Sequence, residues 1–220
     1  MVRIAVLVSG GGTNLQAIID ACAKKEINGE IVLVSGGGTN LQSLLDNINN
    51  NYIQNGKIVL VVSNRKKAYG LERARLAGIK AECIKDEDIL IKRLEEERVD
   101  LIVLAGYLAI VSERLISIYK NRIMNIHPSL IPSFCGPGFY GLHVHEHAFE
   151  RGVKVAGATV HFVSNVVDGG PIILQKAIDV SEAKSPEEMQ EMVLLNVEHS
   201  ILPEAVKLYC DGKIKIENER

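Results

Sequence analysis

The sequence predicts an α/β protein built on a mostly parallel sheet with helices on both faces. Three observations carry that prediction. Short runs rich in Val and Ile alternate with amphipathic stretches. The runs are continuously apolar, as strands buried on both faces require. Gly, Asn and Ser bound them. In chain order, "RIAVLVS" precedes "TNLQAIIDACAKK", "GKIVLVVSN" precedes "AYGLERARLAG", and "VDLIVLAGY" precedes "SERLISIYKN". The strand-like "RIMNIHPS" and "VAGATVHFV" follow. After Asp168 the order changes: "GPIILQKAIDV" reads as a late strand and residues 185–212 as one long helical stretch. That stretch opens Ser185-Pro186-Glu187-Glu188, an N-cap, an N1 proline and first-turn acids. No linker-like or low-complexity segment divides the chain, so residues 1–220 are read as a single domain.

Composition excludes several classes. The chain is 47% hydrophobic and 24% charged, as a protein with a real core should be. A net charge of −2 gives no global attraction to nucleic acid or anionic membrane, so local donors must capture any anionic ligand. Cys22, Cys83, Cys135 and Cys210 form no C-x-x-C pair, which argues against a disulfide framework and a zinc site. The longest apolar run, "LIVLAGYLAIV", is too short to span a bilayer as a helix. A soluble, cytoplasmic protein is expected, without nucleic-acid or membrane partners. Its oligomeric state is not readable.

One stretch occurs twice. "VLVSGGGTNLQ" fills residues 6–16 and again residues 32–42, a displacement of 26 positions, about one β-α unit. A single β-α unit is therefore duplicated near the N-terminus. The glycine turn lacks the Lys of a Walker loop and the third Gly of the dinucleotide fingerprint. Two readings are open. Its free N–H groups at a helix start suit a phosphate, or it is a tight turn with Thr and Asn capping the helix.

Asn125 and His127 stand two apart in "NIHPSLIP", which puts both on one face of an extended segment, and Pro128 ends the pairing there. An amide donor beside an imidazole suits a site where negative charge develops on an oxygen. Asp168, in "VVDGGPII", offers a carboxylate that would hold the imidazole cationic. A structural His-Pro turn and an ordinary turn aspartate are the competing reading. His161, in "TVHFV", is either a satisfied core histidine or a site-facing one. His143, His145 and His147 alternate in "HVHEH" but lack supporting ligands at metal spacing, so no metal is expected. "KRLEEER" reads as a solvated helix face.

Taken together, "VLVSGGGTNLQ", "SNRKKAYGLERA", "DLIVLAGYL", "NIHPSLIPSF", "GATVHFV", "VDGGPIILQ" and "VEHSILPEAV", in this order, closely resemble the phosphoribosylglycinamide formyltransferases over nearly the whole chain. The resemblance implies a Rossmann-like formyltransferase fold. It also implies formyl transfer from 10-formyltetrahydrofolate, a co-substrate, to the amino group of glycinamide ribonucleotide in purine synthesis. Asn125, His127 and Asp168 match the family's catalytic trio, with Asn125 also touching the folate's formyl group. Leu108, Ala109, Ile110 and Val111 resemble one wall of the folate site, and Ser164, Asn165, Val166, Val167 and Asp168 its other side. Leu195, Asn196, Val197 and Glu198 match the helical segment that contacts glycinamide ribonucleotide. The glycine turn would bind that substrate's phosphate, through Gly38, Thr39 and Asn40 or through Gly12, Thr13 and Asn14. The second copy is preferred, because it leaves a continuous family-like run from Ile31 to Ala74. The first unit is then expected to be an N-terminal appendage, since the sheet offers no vacant slot for an extra strand. The chain departs from the family pattern in a short stretch after Ile84, in Ala109, and in the longer insert "CGPGFYGLH". Methionyl-tRNA formyltransferases share the Asn-x-His-Pro-Ser segment, but their further tRNA-binding domain is not expected here.

Overall fold

Parallel strands buried on both faces need side chains that pack in both directions, and the middle of the chain supplies them. The computed structural model describes residues 2–7, 29–34, 60–64, 66, 71, 75, 80–104 and 110–216. Among these, eight strands form one sheet. They are β1 (Val2–Leu7), β2 (Gly29–Val34), β3 (Leu60–Ser63), β4 (Lys80–Cys83), β5 (Leu101–Leu104), β6 (Ile123–His127), β7 (Val155–Phe162) and β8 (Ile172–Asp179). Their order is β4-β3-β2-β1-β5-β6-β7-β8. Every pair from β4 to β6 is parallel, whereas β6/β7 and β7/β8 are antiparallel.

β5 shows why its sequence is apolar without interruption. All four of its residues are buried, and they alternate between two cores. Leu101 and Val103 join Met124, Ile126, Val160 and Phe162 on one face. Ile102 and Leu104 join Ile123, Leu90, Ile91 and Leu94 on the other. The alternation is the two-residue period of an extended strand. The described helices are α1 (Glu87–Glu96), α2 (Glu113–Ile118), α3 (Leu142–Glu150), α4 (Pro186–Val193) and α5 (His199–Cys210). In α1 the acid-base run is solvated, as expected, but Leu94 within it is buried and anchors the helix. Asp86 caps α1 by accepting from the Ile89 N–H, and Ser112 caps α2 by accepting from the Leu115 N–H.

The start of α4 is as read: Ser185 accepts from the Glu188 N–H, and Pro186 opens the helix. The expected single helix, however, is not uniform. Leu194–Glu198 form one π turn between α4 and α5. Such turns carry an extra residue, and the carbonyls they displace need other donors. Here Lys176 Nζ of β8 donates to the Asn196 carbonyl at 3.0 Å, and Asn196 Nδ2 donates to the Met192 carbonyl at 2.8 Å.

The repeat is resolved differently from expectation. β1 is not part of an appendage; it lies inside the sheet, hydrogen-bonded to β2 on one side and to β5 on the other. β2, the strand of the second copy, is accommodated as an additional parallel strand between β1 and β3. The physical reason is that an open parallel sheet can widen by one strand without breaking a ladder, whereas an appendage would leave an apolar strand unpaired. The two glycine-rich stretches, and the residues after them that are expected to be helical, lie outside the described residues.

Candidate active site

Strand order positions the site. From β1 the chain runs outward through β2, β3 and β4, then returns to β5 on the other side of β1. The order reverses between β1 and β5, and in open α/β sheets ligands bind beyond the carboxyl ends of the strands at such a reversal. β6 lies next to β5, and it carries Asn125 and His127 at its carboxyl end. Met124 and Ile126 point into one core, so Asn125 and His127 share the opposite face. The expectation drawn from their spacing holds.

The antiparallel partner completes this face. In the β6/β7 register Asn125 lies opposite His161, and His127 opposite Thr159. His161 is therefore on the site side of β7, while Val160 and Phe162 fill the core. Asn125 Nδ2 lies 3.2 Å from His161 Nε2. Thr159 is fully buried and holds the segment after His127. Its hydroxyl donates to the Ser129 carbonyl at 2.7 Å and accepts from the Ile131 N–H at 3.1 Å and from Gln175 Nε2 at 2.8 Å.

A loop then clamps the imidazole and the carboxylate together. His127 Nε2 donates to the Phe134 carbonyl at 2.8 Å. Two residues on, the Gly136 N–H donates to Asp168 Oδ2 at 2.8 Å. Asp168 Oδ2 lies 3.5 Å from His127 Nδ1, and its Oδ1 lies 3.6 Å from His161 Nε2. Phe134 and Asp168 both have left-handed backbones, at φ +47° and +56°. For a bulky residue such as Phe134 this conformation costs on the order of 1–2 kcal/mol, and it aims a carbonyl at the histidine. The two glycines after Asp168 are dictated by space. A Cβ at Gly170 would collide with the Phe162 carbonyl, and one at Gly169 with the Val166 side chain. Asp168 is thus brought against His127, as its sequence context suggested.

The electrostatics differ from expectation in one respect. Burial pushes the His127 imidazole below its ordinary range. Asp168 and the Phe134 carbonyl pull it up but do not overcome the burial, and His161 lowers it further. Asp168 does not hold a permanent imidazolium; His127 rests neutral. For Asp168, burial acts upward. The Gly136 N–H and His127 outweigh it and keep the carboxyl below the usual carboxylate range; His161 Nε2, at 3.6 Å, is too far to donate to it. The site is therefore a neutral imidazole beside an ionised carboxylate.

The remaining predicted residues are distributed as follows. Ile110 and Val166 are 86% and 67% exposed, an unusual degree for large aliphatic groups, and Val167 is also exposed. Val111 packs partly against the second core, and Leu108 and Ala109 lie outside the described residues. Ser164 Oγ bonds the Val166 backbone, donating to its carbonyl and accepting from its N–H, which shapes the turn through Asn165 ahead of Asp168. Leu195, Asn196, Val197 and Glu198 form the π turn. Leu195 and Asn196 face solvent, while Val197 and Glu198 are buried. Gly12, Thr13, Asn14, Gly38, Thr39 and Asn40 lie outside the described residues.

The histidine run falls on α3. His143 pairs with Glu146, His147 Nδ1 donates to the His143 carbonyl, and only His145 turns inward. Among the described residues no group of three His, Cys, Asp or Glu could hold a metal. Sequence reasoning left His161 open and missed the backbone groups of Phe134 and Gly136. The alternation of Thr159 and His161 against Val160 and Phe162 was a usable signal for His161. Nothing in the sequence marked the two backbone groups.

A doubly wound sheet with an amide, an imidazole and a carboxylate at its carboxyl edge provides the groups that an acyl-transfer enzyme uses. Residues 30–206 match the family model described as formyl transferase, and the chain belongs to that family. It is 38% identical to a phosphoribosylglycinamide formyltransferase of Escherichia coli, over 97% of this chain and 90% of that protein. It is 34% identical to the enzyme of that name in Haemophilus influenzae, over 99% and 92%. Among solved structures it resembles glycinamide ribonucleotide transformylase 1 from Symbiobacterium toebii, with a TM-score of 0.77, 41% identity and coverage of 100% and 92%. A phosphoribosylglycinamide formyltransferase from Anaplasma phagocytophilum gives 0.76, 33%, 99% and 90%. The fold is thus the Rossmann-like formyltransferase fold. The family match begins at Glu30, two residues before the second copy of the repeat, whereas β1, which leads into the first copy, lies at the reversal point.

Proposed function

We propose that the chain, as one catalytic domain, transfers the formyl group of 10-formyltetrahydrofolate to the amino group of glycinamide ribonucleotide. The products are formylglycinamide ribonucleotide and tetrahydrofolate, in purine biosynthesis. The observation that carries the residue assignment is the disposition of His127. Its Nε2–H is committed to the Phe134 carbonyl, so Nδ1, facing Asp168, is the nitrogen free to gain a proton. The amine attacks the formyl carbon, and the carbonyl oxygen becomes an oxyanion that accepts from the Asn125 amide. The neutral Nδ1 takes the proton released by the amine, Asp168 stabilises the imidazolium, and the same proton passes to N10 of the folate as the C–N bond breaks. One proton moves from one nitrogen to the other, and none is lost.

The exposed Ile110, Val166 and Val167 supply apolar surface for the pterin, and the π turn carrying Glu198 supports the ribonucleotide. The phosphate is assigned to Gly12, Thr13 and Asn14, because β1, which leads toward that turn, borders the reversal point. β2, which leads toward Gly38, Thr39 and Asn40, lies one strand farther out. The partners are these two small molecules, in the cytoplasm. No helix among the described residues is long and apolar enough to cross a membrane.

His127→Ala and Asn125→Ala are each expected to lower kcat by roughly 10²–10³ while the protein stays folded. Steady-state formyl transfer and circular dichroism on the purified variants decide it. Near-normal turnover in either folded variant overturns that residue's role.

A further inference from the structure

The trio leaves the buried His161, which faces Asn125, without an assigned part. His161 is 2% exposed and sits opposite Asn125 in the β6/β7 register. Its Nδ1 lies 2.9 Å from the Phe162 carbonyl. A carbonyl oxygen only accepts, so Nδ1 carries the proton, and in the neutral ring Nε2 holds a lone pair. That lone pair faces the Asn125 side chain at 3.2 Å. Of the two ends of an amide, only the nitrogen can donate to it.

This settles an ambiguity that a lone asparagine cannot settle for itself. A carboxamide has a donor end and an acceptor end of nearly equal shape. If the amide turned over, Oδ1 would meet the Nε2 lone pair, and the oxyanion would lose its donor. With Nδ2 held toward His161, one N–H is committed and the second N–H of the same nitrogen remains for the reacting oxygen. Asp168 Oδ1 stands 3.6 Å from the same Nε2, too far to accept from it, but its charge would compete for a proton there. The Phe162 carbonyl removes that competition by keeping the proton on the other nitrogen.

We infer that His161 is a positioning residue: as a hydrogen-bond acceptor it fixes the Asn125 amide with its donor end available to the formyl oxygen. The inference rests on the proposal that Asn125 binds that oxygen. His161 itself touches no reacting atom.

Three measurements on the full chain test it. Long-range ¹H–¹⁵N NMR of the unmodified protein near neutral pH should show the Nδ1–H tautomer at His161; an Nε2–H tautomer overturns the inference. His161→Phe should lower kcat by roughly 10–10² while leaving KM for glycinamide ribonucleotide unchanged. His161→Gln, whose side-chain oxygen replaces the Nε2 lone pair, should recover most of that loss; equal losses in both folded variants overturn the inference. Finally, His161→Phe should cost nothing further in an Asn125→Ala background, because its effect runs through Asn125. Losses that multiply overturn it. If Asn125→Ala alone leaves turnover normal, it is the underlying role of Asn125 that fails, and the tautomer measurement still reports on the His161 contact.

Discussion

Along β6 and β7, Asn125, His127 and His161 each occur once, and each is held by a contact no other residue makes. β1 and β2 instead both run into the same repeated residues, Val6-Leu7 and Val32-Leu33, and the two strands take different places in one sheet. The first region owes its identity to particular polar groups: the Phe134 carbonyl, the Gly136 N–H and the hydroxyl of Thr159. The second owes its structure to apolar character that either copy satisfies. Hydrogen-bonded chemistry is bound to single residues. Strand formation is degenerate, and neighbours decide which copy lies where. The strand region is therefore expected to tolerate the duplication, and the site end is expected not to tolerate substitution.

Acid should separate the two regions most strongly. His145 of α3 is 1% exposed, and its Nε2 has no hydrogen-bond partner. Burial, with a further push from His127, lowers its pKa from 6.5 to about 4. A depressed pKa contributes stability that is complete above the unfolded value and lost as pH falls toward the folded one. The window is thus pH 6.5 down to about 4, and the full loss is about 3 kcal/mol. His127, also lowered, adds to the loss from pH 6.5 downward, whereas the lowered Asp168 contributes only below about 3.8. Urea unfolding at pH 7 and near the lower edge of the window should show this drop, and His145→Phe should flatten it. An unchanged pH slope in that variant would place the acid sensitivity elsewhere.

The next effect asks which copy of the repeat works. If β1 feeds the phosphate site, Asn14→Ala should raise KM for glycinamide ribonucleotide by roughly tenfold, the value of one hydrogen bond to a charged group. Asn40→Ala should leave it within about twofold of the parent, as a substitution away from a site does. The opposite pattern would return the site to the second copy, where the family match begins. It would also break the argument from strand order.

The smallest effect comes from removing the duplication. Deleting residues 9–34 joins Val8 to Ser35 and leaves one copy of the repeat, with β3 free to pair beside β1. Formyl transfer should persist, and the melting temperature should change by no more than about 2–4 °C, the equivalent of ~1 kcal/mol in a domain of this size. Loss of folding would show that β2 is required rather than accommodated.

Much of this was legible from the residues alone. Continuous apolar runs announced parallel strands, and Leu101, Ile102, Val103 and Leu104 are buried because both faces of β5 are covered. The two-residue spacing of Asn125 and His127 put them on one face, and Ser185-Pro186 marked the start of α4. These features are local: strand period, capping and turn chemistry depend on residues a few positions apart. The motif order carried the family in the same way.

Other features depend on groups far apart in the chain, and only the tertiary structure decided them. The β6/β7 register set His161 against Asn125 across 36 positions, and the loop at Gly136 reached Asp168 across 32. The resting charge of His127 was decided by burial against a carboxylate, a balance that requires knowing how much solvent is excluded. The place of β1 was decided by β5, which pairs with it from about a hundred residues away. The repeated residues within β1 and β2 have identical local preferences, so they cannot themselves assign the two strands different slots. Only the partners available on each side can.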